Sequence, residues 1–278
     1  MKNILFLLLS LFFLSVHSQE NSVFWEIRKD TIVRGYILGT NHIFGKSYVE
    51  KDNIIFDALK SSSIVILENI KSKDSILKSR LPFSYVNAFT SDEKKMLKKI
   101  TENNYSVNKF TPRELLLMTQ NYWDKLSCLD EKFKKDKILM DDFIRDFSLK
   151  EGKKVVGLEK IEETLNLIET LYLKDIDESK IIASLKYRLM MISKGESVKN
   201  CEVDKLYEGK RSNFDFTLDV KDELLYNRNN NWESKILAEL QSDKTTFIAV
   251  GLAHLDYQSG LISILRMKGY TINPIQLN

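Results

Sequence analysis

The chain is short of the residues that carry most of the conspicuous protein chemistry. In 278 residues there are three prolines, ten glycines, two cysteines and three histidines. So little proline and glycine excludes collagen-like and low-complexity chains. Two cysteines cannot frame a disulfide scaffold, and neither stands in a CxxC or beside a histidine. An excess of one charge sign is missing as well. The 42 Lys+Arg face 39 Asp+Glu, for a formal net charge of +3, which argues against a polarised nucleic-acid binder. There is no HExxH, GxSxG, Walker loop or GxGxxG. The helix-borne zinc protease, the serine-hydrolase elbow and the common nucleotide-binding loops are therefore absent. No stretch approaches the roughly 20 apolar residues that span a bilayer, so no stable membrane span is expected.

What is present is an ordinary globular composition, 43% hydrophobic and 29% charged, long enough to bury a proper core. The first residues read as an address. Lys2 is followed by an apolar run, Ile4 to Leu14, interrupted only by Ser10, and then by Ser15-Val16-His17-Ser18. This is a signal-peptide pattern over residues 1–18, and its apolar part is too short for an anchor. No cysteine follows it to take a lipid. The expected product is secreted or periplasmic, a single domain over residues 19–278. It keeps two histidines, His42 and His254. In such a compartment Cys128 and Cys201 are allowed to pair, and both a disulfide and two buried thiols remain open.

Short apolar runs at Ile64–Leu67, Val155–Leu158 and Phe247–Val250 read as strands buried on both faces. Val23–Ile27 and Thr31–Leu38 read as an opening hairpin, and Tyr270–Ile275 as a closing strand. Between them lie helical patterns, over Asn53–Lys60, Ser91–Gly152, Ile161–Tyr207, Asp219–Leu240 and Leu261–Met267, with helix starts at Ser91 and Thr111-Pro112. The expectation is an α/β fold whose central sheet is built from the N- and C-terminal segments, with a large helical insertion. The lysine runs around 94–99 and 132–135 read as solvated helix faces, and Leu115–Met118 as core.

Two segments look alike. Tyr36 to His42 and Phe247 to His254 are each an apolar strand followed by GxxH, the glycines being Gly39 and Gly251. In open α/β sheets ligands bind beyond the carboxyl ends of strands, and both histidines stand there. A single histidine after a strand is more often structural. Two in one context, at opposite ends of the chain, point to a shared site. Neutral imidazole is the commonest protein ligand for transition metals, and two histidines with a carboxylate leave room for water and substrate. Glu68, at another strand end, is the third candidate. Such an ion would polarise a carbonyl and acidify water. Arg228 could clamp a carboxylate or stabilise an oxyanion. Asp141 and Glu159 could orient an imidazole or pair with Arg228.

These residues resemble a known family. Tyr36 to His42 (YILGTNH), Ile66 to Glu68 (ILE) and Val250 to Gly260 (VGLAHLDYQSG) are similar to segments of the TraB/GumN family, which includes the TIKI metalloproteases. Asp141 to Glu159, Leu224 to Trp232 (LLYNRNNNW) and Leu261 to Ile275 fit its remaining blocks in order. The resemblance implies a fold like that of the erythromycin-esterase/ChaN group. It implies a divalent metal, manganese or cobalt ahead of zinc, held by His42, His254 and Glu68, and a peptide or amide substrate. Two local departures, Leu255-Asp256-Tyr257 after the second motif and Leu139-Met140 before Asp141, touch none of these ligands. The reading that follows is an extracytoplasmic metal-dependent hydrolase. A non-catalytic peptide- or ligand-binding protein of the same fold is the alternative, and a haem- or metal-binding protein is a third.

Overall fold

The computed structural model describes residues 22–70, 74–101, 106–201, 205, 207 and 214–277. The leader-like segment 1–18, with His17, lies outside them. Six strands form one sheet: β1 (Phe24–Lys29), β2 (Ile32–Thr40), β3 (Ile64–Leu67), β4 (Lys154–Gly157), β5 (Thr246–Gly251) and β6 (Thr271–Pro274). Their order is β4-β3-β5-β2-β1-β6. The pairs β4·β3, β3·β5 and β5·β2 are parallel, while β1 runs antiparallel to β2 and β6.

The helices are α1 (Lys46–Lys51), α2 (Asn53–Ser61), α3 (Asp74–Ser79), α4 (Ser91–Ile100), α5 (Pro112–Cys128), α6 (Glu131–Lys134), α7 (Met140–Lys150), α8 (Ile161–Thr170), α9 (Glu178–Ser193), α10 (Tyr226–Leu240) and α11 (Leu261–Met267). None is long and apolar enough to cross a membrane.

Side-chain alternation explains the layers. From β5, Phe247 and Ala249 enter one core with Phe24, Leu38, Val65 and Leu67, covered by α1, α2 and α7. Their neighbours Ile248 and Val250 enter a second core on the opposite face with Trp25, Ile37, Ile64 and Ile66, covered by α10 and α11. A strand buried on both faces has no polar side to show, which is why it reads as an unbroken apolar run. Each such side chain contributes roughly 1.5–3 kcal/mol on burial. Gly35 lets β2 and β5 close on each other, since a Cβ there would stand 2.2 Å from the Thr246 carbonyl oxygen.

The helical insertion has its own core, in which Leu97, Phe110, Leu115, Leu116, Ile181, Leu185 and Leu189 join α4, α5 and α9. Its helices begin where side chains can take the first amides. Thr90 with Glu93, and Thr111 with Glu114, form capping boxes, and Pro112 opens α5. Cys128, at the end of α5, is disulfide-bonded to Cys201 with Cα atoms 5.3 Å apart.

Two helical expectations are shortened. The pattern over Asp219–Leu240 becomes a helix only from Tyr226. Asp222 turns the chain by accepting from the Leu224 amide, and Gln258 and Ser259 tie down the carbonyls of Leu218 and Val220. The pattern over Ile161–Tyr207 is broken by Leu173, at φ 54°, and again by Gly195, at φ 71°, which ends α9, while Lys205 and Tyr207 are helical again.

Candidate active site

Parallel pairing brings four strand ends to one edge. β2 leads through Thr40 and Asn41 to His42, β3 to Glu68, β4 to Glu159 and β5 to Gly251 and His254. The pairing of β3 and β4 continues past the strands, the amides of Leu158 and Glu159 donating to the carbonyls of Leu67 and Glu68. The two glutamates therefore leave the sheet side by side.

Arg228, on the first turn of α10, joins them. Its Nη2 donates to Glu68 Oε2 at 2.6 Å and to Glu159 Oε1 at 2.7 Å, and its Nε donates to Glu159 Oε2 at 2.9 Å. The guanidinium lies over the Trp232 ring, one helical turn on, at 4.7 Å. Thr164 donates to Glu159 as well. The other oxygen of Glu68 accepts from the Gly251 amide at 2.7 Å. Burial pushes the Glu68 carboxyl up, but His254, Arg228, the Gly251 amide and His42 outweigh it and hold the group below its ordinary range. A Cβ on Gly251 would stand 3.1 Å from Glu68 Oε1, so the glycine of the second motif makes room for the carboxylate its amide binds.

His254 is buried against Trp232, with ring centroids 4.4 Å apart. Its Nδ1 lies 2.7 Å from Asn229 Oδ1, while the Asn229 amide nitrogen donates to the carbonyls of His254 and Ser259. That orientation leaves the Asn229 oxygen to accept from the ring, so Nδ1 carries the proton and Nε2 a lone pair. Nε2 faces Glu68 Oε1 at 3.8 Å. Burial first, opposed by Glu68 and assisted by Arg228, pushes the His254 pKa down to about 4, so the ring is neutral at neutral pH.

His42 is the open member, its side chain 65% exposed. Its Nδ1 lies 3.5 Å from Asp141 Oδ2, in the first turn of α7. Thr40 donates to Asp141 Oδ1 at 2.7 Å, and Oδ2 is buried without a hydrogen bond among the described residues. The Phe44 carbonyl accepts from the Met140 amide, and a bridge joins Gly45 to Leu139. The His42 turn and the Asp141 helix are thus fixed to each other.

All the residues singled out in the sequence gather at this edge, in two groups. Glu68, Glu159, Arg228 and His254 form one, and His42 with Asp141 the other. Asn229 and Thr40 were not singled out. Asn229 sits next to Arg228 in the quoted Arg-Asn segment, and Thr40 inside the first GxxH, but neither type announces itself as a ligand holder.

Among the described residues no three His, Cys, Asp or Glu side chains are gathered closely enough to hold an ion as they stand. The donor chemistry of the His254–Glu68 pair nonetheless fits a divalent transition ion. Two lone-pair atoms face each other with no proton between them. Their 3.8 Å separation is a few tenths of an ångström wider than the roughly 3.4 Å between two donors bonded at about 2.1 Å to a tetrahedral centre.

The model of the TraB/PrgY/gumN family matches residues 23–274. No curated protein and no solved structure matches the chain.

Proposed function

The chain belongs to the TraB/PrgY/gumN family, and from that premise we propose that it is an extracytoplasmic metal-dependent hydrolase acting on peptide or amide bonds. One observation carries the reading: His254 Nδ1 is hydrogen-bonded to Asn229 Oδ1 at 2.7 Å, and at His42 the Asp141 Oδ2 carboxylate oxygen, which has no hydrogen bond among the described residues, lies 3.5 Å from Nδ1. Metal-binding histidines characteristically donate their second ring N–H in this way, which fixes the tautomer and raises the basicity of Nε2.

In this reading His254, Glu68 and His42 hold the ion, with manganese or cobalt the first candidates and zinc the next. When bound, the ion acts as a Lewis acid that polarises an amide carbonyl and acidifies water. Glu68 serves as a ligand rather than a proton acceptor, because Arg228 and the Gly251 amide already engage both its oxygens. Arg228 orients Glu68 and shares its one positive charge between the two glutamates. Asn229 orients His254, Asp141 orients His42, and Trp232 keeps water off the inner face of the His254 ring. The exposed His42 side supplies the open approach for a substrate. The Cys128–Cys201 disulfide and the signal-peptide pattern support an oxidising compartment, secreted or periplasmic.

The test is hydrolysis of a defined peptide mixture by metal-stripped protein with Mn²⁺, Co²⁺ or Zn²⁺ restored. Cleavage that returns with metal and is lost in His42→Ala and His254→Ala supports the proposal. Full turnover in excess chelator overturns it. A non-catalytic binding protein is the second reading, favoured by Arg228 already neutralising Glu68 at 2.6 Å. It calls for peptide binding without turnover, unchanged by metal removal.

A further inference from the structure

Tyr207 is buried, and the proposed chemistry makes no use of it. Its hydroxyl donates to the Gly39 carbonyl at 2.6 Å, and its own carbonyl accepts from the Tyr48 hydroxyl at 2.8 Å. Its ring stacks on Phe44 with centroids 4.6 Å apart and meets Tyr48 edge-on at 5.1 Å. Gly39 and Phe44 lie on either side of His42, so one side chain grips both ends of the turn that carries the histidine. Burial, Tyr48 and Asp141 keep the phenol protonated and therefore a donor.

Tyr207 reaches that turn from the helical insertion. Before it, the chain is fastened to α5 three times: Trp123 Nε1 donates to the Glu196 carbonyl, the Val198 amide donates to Ser127, and Cys201 is bonded to Cys128. Beyond it, Phe214 stacks on Phe216 and packs edge-on against Trp25. The disulfide is the last covalent fixing before Tyr207. Six residues follow it, a reach of at most about 20 Å.

We propose that Tyr207 is a positioning residue for His42, held at the first GxxH turn by the Cys128–Cys201 disulfide. The contacts themselves are independent of metal. The consequence for the site rests on the proposed role of His42.

The experiment is hydrogen exchange of the metal-free protein, read by mass spectrometry on peptides covering 40–45, for the parent, Tyr207→Phe and the double variant Cys128→Ser/Cys201→Ser. Tyr207→Phe keeps the ring stacked and the fold intact while removing the hydroxyl. Exchange over 40–45 is expected to rise roughly three- to tenfold, and exchange in β3 and β5 to stay at the parent level. The double serine variant should show the same localised pattern. A parallel titration with Mn²⁺ and Co²⁺ should show weaker stabilisation of Tyr207→Phe than of the parent. Parent-level exchange at 40–45 in Tyr207→Phe, or an increase spread evenly over the sheet, overturns the positioning role. If no metal stabilises the parent, the metal reading fails, and the exchange result still decides the role of Tyr207.

Discussion

His254 Nε2 and Glu68 Oε1 face each other at 3.8 Å with no proton to share, because Asn229 has taken the one hydrogen the neutral ring carries. Two acceptors in that position repel, and a cation between them would turn the repulsion into binding. The pair comes from strands 183 residues apart along the chain, judged by the Glu68–Gly251 hydrogen bond that fastens the same two strand ends.

Releasing the tautomer should weaken the site. Asn229→Ala leaves Nδ1 without its acceptor and is expected to lower Mn²⁺ or Co²⁺ affinity about 10–100-fold. Asn229→Asp, which keeps an acceptor, should retain more. Thermal-shift titration gives both values. At about 100 times Kd, an ion should stabilise the parent by roughly 2.7 kcal/mol, or several degrees for a protein of this size. Equal affinities for the alanine variant and the parent would remove Asn229 from the account.

Removing Arg228 should be costly. Arg228→Met leaves Glu68 and Glu159 side by side without their cation, a kind of loss that runs to about 3–5 kcal/mol at buried sites. The expected drop is on the order of 10 °C. It should shrink as pH falls and the orphaned carboxylates take up protons. Urea denaturation at pH 7 and pH 5 measures the difference, and a loss that does not depend on pH would point to lost packing on Trp232 instead.

The metal-free protein should lose stability on acidification. His254 titrates near 4 when folded and near 6.5 when unfolded. Between those values the unfolded chain binds more protons, so stability is fully present above about pH 6.5 and falls as pH drops towards 4. The contribution at stake is up to about 3 kcal/mol. Glu68, held below its ordinary pKa, adds a loss of the same sign at still lower pH. Denaturation midpoints for the parent and His254→Gln from pH 7 to 4 test this. The variant should be flatter, and parallel curves would place the titration elsewhere.

Gly251→Ala should separate site from fold. The new methyl meets Glu68 Oε1 at 3.1 Å and His254 Cδ2 at 3.6 Å, so the carboxylate has to give by a few tenths of an ångström. Stability should change by less than about 1 kcal/mol, with metal affinity falling about tenfold. Calorimetric titration reads the affinity, and unchanged binding would mean that the carboxylate position is not critical.

The sheet was largely legible because burial on both faces writes itself as apolar runs, as in Ile64–Leu67 and Phe247–Val250. The strand ends followed, and with them His42, Glu68, Glu159 and His254. What holds these groups was less legible. Asn229 looks like one of four asparagines in a polar stretch, and only its place on the first turns of α10 shows that it meets His254. Tyr207 is separated by 168 residues from the carbonyl it binds, and no local pattern encodes such a contact. Helix lengths failed where a local turn at Asp222 and tertiary bonds from Gln258 and Ser259 override propensity. The cysteine pairing stayed open because spacing alone carries no distance.

The strand at the middle of the sheet, Thr246–Gly251, follows β1 to β4 in sequence yet lies between β3 and β2. Without it, β2 and β3 have nothing between them, and Glu68 has no amide to bind. The sheet and the cluster of Glu68, Arg228 and His254 therefore depend on the same strand. Removing residues from Thr246 onward would take away the Gly251 amide that binds Glu68 and the His254 ring together.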